Sequence, residues 1–257
     1  MNLLKEKNRY NLIDCIRGLT ICSMIIYHLV WDLNFVFAQI EPSVYKLYAK
    51  YIYIWQQSIC WSFIFLSGFC WSMGRYHFKR GAIVFSCGLA ITLITAIFMP
   101  KNIVLFGILT FLGFAMLIMI PLQQILSKIP NIMGFWLSFS AFILVRNINK
   151  GFFGFASLNL YPLPETWYTN YFTAAIGLPS PRFYSADYFA IFPWIFLFIT
   201  GYFAYQICKQ KHWLRYLKNY KLAPFNLCGK HSLSLYLAHQ PLLYTSLFVI
   251  DDVLDII

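Results

Sequence analysis

Long apolar runs, separated by short polar breaks, make up most of the chain. A transmembrane helix needs about 20 consecutive apolar residues, so each run is long enough to cross a bilayer. The pattern predicts an all-α fold, a polytopic membrane bundle of about seven transmembrane helices that forms a single domain over residues 1–257. The seven predicted spans are 12–35, 49–74, 81–99, 103–126, 131–148, 187–208 and 231–250.

The composition excludes an ordinary soluble domain. Hydrophobic residues make up 60% of the chain and charged residues only 11%, whereas soluble proteins carry roughly 25% charged residues. The net charge of +11 comes from Lys and Arg side chains that lie mostly in the breaks between apolar runs. That placement is typical of membrane topology signals rather than of nucleic-acid binding, so we expect a lipid bilayer and no nucleic acid as partner.

The distribution of these cations predicts the orientation. Thirteen of the twenty Lys and Arg residues fall on the side of the N-terminus, six fall on the opposite side, and Arg17 lies within the first run. Because cytoplasmic loops are enriched in Lys and Arg, we expect a cytoplasmic N-terminus.

The seven cysteines lie mostly within apolar runs and show neither a CxxC motif nor a Cys/His spacing suited to a metal. We therefore interpret them as small core residues, and expect neither a disulfide nor a metal site.

Two connections are longer than the others. Residues 149–186, on the predicted outer side, are rich in aromatic residues and proline, and a loop of this length is usually functional or disordered. Many aromatic residues argue against disorder, so we expect the segment to fold over the outer mouth of the bundle. Its aromatic rings either stack on a sugar or anchor the protein at the bilayer interface; these rings are Trp167, Tyr168, Tyr171 and Tyr184.

The second long connection, KQKHWLRYLKNYKL (209–222), places Trp213, Leu217 and Tyr220 at helical spacing with cations elsewhere. This pattern predicts an interfacial helix on anionic lipid. The alternative is that some of its cations meet the phosphates of a cytoplasmic ligand.

The first apolar run carries four ionisable residues, Asp14, Arg17, His28 and Asp32. Successive helical residues turn by about 100°, so these four side chains share an arc only about 60° wide. Charged groups inside a membrane are costly and almost always face the bundle interior or a watery cavity. The spacing therefore predicts a polar edge on the first helix that faces inward.

This polar edge has two ends. Asp14 and Arg17 are one turn apart near the predicted cytoplasmic side, where they form either a structural ion pair or part of a donor site. His28 and Asp32 are also one turn apart, and His28 lies about 16 Å along the helix from Arg17. A carboxylate beside a histidine can fix its tautomer and stabilise the imidazolium, which is the arrangement that a general base needs.

The motifs IDCIRG and YHLVWDL resemble the start of the bacterial membrane family related to the catalytic domain of heparan-α-glucosaminide N-acetyltransferase, within the transmembrane acyltransferases. The resemblance continues in order along the chain, through FIFLSGFCWS, FGILTFLGFAML, SADYFAIFPWIFLFITGY and GKHSLSLYLAHQPLL. It departs from the family at Thr110, where the family motif usually has histidine.

The resemblance implies a membrane acetyltransferase of the bacterial inner membrane. Acetyl-CoA enters from the cytoplasm, and its acetyl group passes to the amino group of an extracytoplasmic, glucosamine-containing saccharide. On this interpretation His28 is the catalytic base and Asp32 orients it, while Asp14 and Arg17 bind the donor. The last helix also carries a polar face that includes Ser232 and Tyr236. The substrate-binding candidates are Asp187, Trp194, His239 and Gln240.

Two other functions fit the same pattern. One is an O-acetyltransferase of cell-surface glycans, which differs only in the acceptor atom. The other is a small-solute transporter, because intramembrane charges also mark transport pathways. Many transporters show paired halves or broken helices in matching positions, and neither is visible in this chain. A homo-oligomer is compatible with the sequence.

Overall fold

The fold is almost entirely helical in the computed structural model, which describes residues 10–35, 42–218 and 222–254. The two strands of these ranges, β1 (Phe152–Phe155) and β2 (Leu158–Pro162), form an antiparallel hairpin. The helices of the described ranges are α1 (Asn11–Phe35), α2 (Pro42–Trp71), α3 (His77–Phe98), α4 (Ile108–Leu126), α5 (Asn131–Leu144), α6 (Tyr171–Ile176), α7 (Ile191–Gln210), α8 (Ala223–Lys230) and α9 (Ser232–Leu254).

Six of the predicted spans coincide with helices that are long and apolar enough to cross a membrane. The remaining prediction, 49–74, coincides with α2, a helix of 30 residues. This helix carries the polar residues Gln56, Gln57 and Ser58 and is not among those six. The chain is therefore a multi-pass membrane protein, for which a count of seven spans is approximate. Lys5, Lys7 and Arg9, which support the predicted orientation, lie outside the described residues.

Residues 103–107 and 187–190, which were predicted as the beginnings of two helices, are not helical. Residues 103–107 and 185–190 bond to each other, with the Ala186 amide donating to the Ile103 carbonyl at 3.0 Å and the Phe189 amide to the Phe106 carbonyl at 2.8 Å. Phe106 also has a positive φ of 55°, which a helix does not accommodate. As a result α4 and α7 begin later than their hydrophobic pattern indicates.

The described chain divides into two compact units, residues 1–63 with 212–257, and residues 64–211. In the first unit, α1 packs against α8 and α9. Its core is formed by Ile21 and Met24 of α1 and Ile59 of α2, which are all buried. Burial of apolar surface on α1 is thus shared among several helices, and this fixes which face of α1 points inward.

The beginning of α1 is tied to the segment that precedes α8. The Leu12 amide donates to the Leu217 carbonyl at 3.0 Å, and the side-chain amide of Asn226 donates to the Asn11 carbonyl at 2.6 Å. Asn226 also accepts a hydrogen bond from the Leu222 amide at 2.7 Å. These bonds hold residues 217 and 218 at the same end of α1 as Asp14 and Arg17.

In the second unit, α3 packs along α4, and α5 packs along α7. The core is built from large side chains that include Phe142, Phe198 and Phe203. Between α5 and α7, the hydroxyl groups of Ser138 and Thr200 lie 3.0 Å apart and are both buried. Small residues let these helices approach closely, which is the usual basis of helix packing in membranes.

Residues 149–186 are ordered by local hydrogen bonds. The buried side chain of Asn147 donates to the Ala156 carbonyl at 3.1 Å and to Asn159 Oδ1 at 3.0 Å, so it holds the β1–β2 hairpin. The Tyr168 hydroxyl donates to the Ile148 carbonyl at 2.6 Å. The other three aromatic residues predicted to contact a sugar or the interface are exposed, namely Trp167, Tyr171 and Tyr184.

The predicted interfacial helix over 209–222 is wrong for the residues that the structure describes. The α7 helix ends at Gln210, His212 has a positive φ of 56°, and only the single 3-10 turn Trp213–Arg215 follows. Tyr220 lies outside the described residues. The short helix α8, which the sequence pattern did not predict, begins with Pro224 in its first turn, where proline is favoured because no backbone donor is needed there.

Candidate active site

The ionisable edge of α1 faces the interior of the first unit. Asp14 is 6% exposed and Asp32 is 0% exposed. On the opposite face, Leu19 is 44% exposed and Ile26 is 54% exposed. The helical spacing therefore predicted the direction of this edge correctly, and the buried carboxylates need polar partners from neighbouring elements.

At one end of the edge, Arg17 links α1 to α8. Its Nη1 atom lies 3.6 Å from Asp14 Oδ1 and donates to the Gly229 carbonyl at 3.4 Å. The guanidinium thus offsets the buried Asp14 carboxylate while remaining partly exposed. Both earlier interpretations of this pair, a structural ion pair and a donor-binding site, are compatible with a partly exposed cation.

Glycines bring the two helices into backbone contact at this end. A Cβ atom on Gly18 would collide with the Phe225 carbonyl, and a Cβ atom on Gly229 would collide with the Asp14 carbonyl. Residues with side chains would force the helix axes apart, and the reach of Arg17 to the Gly229 carbonyl would be lost. The glycines are therefore part of what positions the Asp14–Arg17 pair.

At the other end of the edge, His28 of α1 meets His239 of α9. The two imidazole rings lie 4.8 Å apart between centroids, tilted by 54°. His239 is 8% exposed, and its ring also contacts Tyr236 at 5.4 Å. The sequence placed these histidines on different helices, and the fold brings them into direct contact.

Asp32 is held by Gln240 rather than by His28. The Gln240 amide nitrogen donates to both carboxylate oxygens of Asp32, at 2.9 and 3.1 Å. Among the residues that the structure describes, no hydrogen bond joins Asp32 to His28. This geometry differs from the expected carboxylate–histidine pair, because the hydrogen-bond donor found for Asp32 is the α9 amide. The catalytic roles of His28 and Asp32 stay predictions.

Aromatic residues that spacing alone did not single out surround the pair. Tyr27 contacts the rings of His28 and Trp55, each at 5.6 Å in an edge-to-face arrangement. The Trp55 indole donates to Ser23 Oγ at 2.7 Å. These contacts limit the rotation of His28, and only the aromatic content of α2 hinted at them in the sequence.

Asp187 belongs to the second unit, where it caps α4. Its Oδ2 atom accepts a hydrogen bond from the Ile108 amide at 3.0 Å, and a carboxylate is favourable at a helix N-terminus. Burial raises the pKa of Asp187 from 3.8 to about 6, although the hydrogen bond from Ile108 opposes this change. A structural role therefore stands beside its predicted role in substrate binding.

We expect the stability contribution of Asp187 to fall as the pH rises. Its folded-state pKa is raised, so the folded protein binds the proton more tightly than the unfolded chain, and this contribution is lost between about pH 4 and about pH 6. The loss is at most about 3 kcal/mol. Melting temperatures of the wild type and Asp187→Asn in detergent test this, because Asn keeps an acceptor for the Ile108 amide. The Asn variant should lose this part of the pH dependence, and identical pH profiles would contradict the assignment.

Trp194, the other substrate-binding candidate of the second unit, is buried. The Arg146 guanidinium lies 4.6 Å from its ring centroid, and Phe189 and Phe142 contact the ring at 5.0 and 5.7 Å. These neighbours favour a packing role, and substrate binding by Trp194 stays a prediction. Thr110 also lies in the second unit, against Gly88 of α3, and its buried hydroxyl oxygen has no hydrogen-bond partner within the described part of the chain.

The described residues contain no group of three or more His, Cys, Asp or Glu side chains arranged to hold a metal ion. Along the inward edge of α1 and the residues of α9 that face it, the polar groups are the imidazoles of His28 and His239, the carboxylates of Asp14 and Asp32, the Gln240 amide and the Arg17 guanidinium.

Comparisons with known proteins agree with the motifs of the sequence. The family model described as heparan-alpha-glucosaminide N-acetyltransferase, catalytic, matches residues 9–241, which is most of the chain. This match confirms the resemblance predicted from the sequence. No curated protein and no solved structure matches the chain.

Proposed function

Since the chain belongs to the heparan-alpha-glucosaminide N-acetyltransferase catalytic family and is a membrane acetyltransferase of that kind, we propose that it moves an acetyl group from acetyl-CoA to a glucosamine-containing saccharide. The acceptor atom in this proposal is the amino nitrogen of an extracytoplasmic sugar. The proposed location is the bacterial cytoplasmic membrane, because acetyl-CoA is then available on the face that carries most of the basic residues.

The donor end of the site is the beginning of α1. Arg17 is partly exposed beside Asp14. At the same end, Lys218 is exposed and its ammonium lies 5.9 Å from the Tyr10 ring centroid. A coenzyme A molecule carries several phosphate charges, which cations at this end attract. Arg17 and Lys218 are therefore the proposed phosphate contacts, and Asp14 keeps Arg17 in place.

The reacting end is the His28–His239 contact. In the proposed step, the acceptor nitrogen attacks the thioester carbonyl carbon, a C–N bond forms, and the C–S bond breaks to release coenzyme A as a thiolate. His28 takes the proton that the attacking amine loses, which typically contributes a factor of about 10²–10⁴ in rate. In the alternative order, His28 first attacks the thioester, so that an imidazole–acetyl C–N bond forms as the C–S bond breaks. The acceptor amine then attacks this acetyl group and releases the imidazole.

Asp32 supports this step through its charge. It lies one helical turn from His28 and is fixed by two hydrogen bonds from Gln240. A fixed carboxylate one helical turn from a histidine stabilises an imidazolium by its charge without a direct hydrogen bond, because electrostatic interactions are stronger inside a protein than in water. The observation that carries the proposal is the inward polar edge of α1, with a cation at one end and a histidine pair at the other.

A labelled-acetyl assay tests the proposal and separates N- from O-acetylation. Purified protein in liposomes receives radiolabelled acetyl-CoA with either glucosamine or N-acetylglucosamine, and only glucosamine presents a free amine. We expect label in the glucosamine product and none in N-acetylglucosamine. Equal labelling of both sugars would identify an O-acetyltransferase, and labelling of neither would contradict acetyl transfer to this class of sugar.

A further inference from the structure

Within the ranges that the structure describes, two buried polar atoms of the first unit have no hydrogen-bond partner, His239 Nε2 and Gln240 Oε1. Buried polar atoms are paired in the large majority of cases, so each exception needs an explanation. These two atoms belong to consecutive residues of α9, next to the reacting end described above. A ligand that pairs with both of them would explain why they are kept.

The partners of these side chains fix what each atom can do. His239 Nδ1 lies 2.5 Å from the Tyr236 carbonyl oxygen, and a carbonyl oxygen only accepts, so Nδ1 carries the hydrogen. In the neutral imidazole, Nε2 then has a lone pair and accepts. The Gln240 amide nitrogen faces the Asp32 carboxylate, so Oε1 points elsewhere and also accepts.

The same contacts locate both atoms at the crossing of α1 and α9. His239 lies against His28 and Gln240 lies against Asp32. The side chains in this place therefore offer lone pairs and a negative charge, and no cation among them pairs with an anion. Groups that donate hydrogen bonds match this surface, whereas carboxylates and phosphates are repelled by the Asp32 carboxylate.

We propose that His239 Nε2 and Gln240 Oε1 form an acceptor-only subsite for the hydroxyl groups that flank the acceptor amine. The inference rests on the proposed function, in which His28 acts on that amine. It assigns His239 as a positioning residue and the substrate class as a hydroxyl-bearing amine without carboxylate or phosphate groups near the amine. A bound amine without hydroxyl groups would leave these two buried acceptors unpaired, which is unfavourable. The subsite therefore favours a polyhydroxylated ring over a bare amine.

Glucosamine and cyclohexylamine test this subsite, because both present an amine on a six-membered ring and only glucosamine carries hydroxyls. The wild type should prefer glucosamine in kcat/KM by about 10-fold or more, with each value calculated per concentration of unprotonated amine because cyclohexylamine is the stronger base. His239→Phe removes the acceptor and keeps a ring against His28, so this preference should fall at least tenfold. His239→Gln keeps an oxygen near the position of Nε2 and should restore most of it. His231→Phe, at an exposed histidine between α8 and α9, is the matched control.

Binding without acetyl-CoA separates this inference from the proposed function. Isothermal titration of glucosamine and cyclohexylamine, with both affinities expressed per concentration of unprotonated amine, should give the same preference and the same order of variants. Acetyl transfer with no preference between the two amines in the wild type would overturn the subsite alone, as would an unchanged preference in a folded His239→Phe. Selective glucosamine binding without any acetyl transfer would support the subsite and overturn the proposed function. The wild-type comparison decides the question even where a variant does not fold.

Discussion

Replacing His28 with alanine should lower acetyl transfer to glucosamine by about 10²–10⁴-fold, the usual contribution of a general base. His28 lies on the inward edge of α1 and contacts His239 at 4.8 Å, where an acceptor amine can give up its proton. The measurement is kcat in detergent with saturating acetyl-CoA and glucosamine. His28→Phe should be equally inactive, although it keeps the ring contact with His239.

His212→Ala provides the matched control, because this histidine is exposed and lies after the end of α7. It should keep wild-type kcat. All variants should elute as folded protein with wild-type melting temperatures within a few degrees. A folded His28→Ala variant with full activity would remove His28 from the catalytic step, whatever the other variants do.

Replacing Gly18 with alanine should destabilise the first unit by about 3 kcal/mol, at the upper end of the cost of overpacking. The added methyl group would collide with the Phe225 carbonyl, and backbone atoms cannot rotate away as a side chain can. The intrinsic preference of alanine for helices acts in the opposite direction by about 1 kcal/mol. A net loss of stability would therefore come from the collision with the Phe225 carbonyl. The measurement is the thermal unfolding of purified protein, followed by tryptophan fluorescence.

Leu19→Ala is the control for Gly18→Ala, because Leu19 is the next residue and lies on the exposed face of α1. It should change the melting temperature far less than Gly18→Ala does. Gly229→Ala should behave like Gly18→Ala, since its methyl group would meet the Asp14 carbonyl. A Gly18→Ala protein as stable as the wild type would show that the α1–α8 contact is looser than described.

Much of the fold follows from local patterns in the sequence. Apolar runs of about 20 residues predicted the long helices. A helix in lipid makes all its backbone hydrogen bonds internally and exposes apolar side chains, so such a run is enough to specify it. The errors fall where backbone groups find partners far along the chain. Residues 103–107 look helical but bond to 185–190, and no local pattern encodes that pairing. The helix α8 likewise depends on contacts with the beginning of α1.

The same distinction applies to the site. The inward edge of α1 was predictable, since four ionisable residues at helical spacing share one face. The expected partner of His28 was Asp32 because the two lie one turn apart, whereas the partner found for Asp32 is Gln240, 208 residues along the chain. The lone pair of His239 Nε2 depends on the Tyr236 carbonyl. Helical spacing identifies which side chains share a face, and it carries no information about which helix lies opposite.

Transfer across a sealed membrane tests the central claim most directly. Proteoliposomes with glucosamine inside receive radiolabelled acetyl-CoA outside, with the protein inserted in both orientations, and the enclosed sugar is analysed over time. The account predicts labelled N-acetylglucosamine inside vesicles that contain the wild type, and only background label with His28→Ala. Passage of unmodified glucosamine across the membrane, with no acetyl-CoA consumed, would contradict it and identify a transporter.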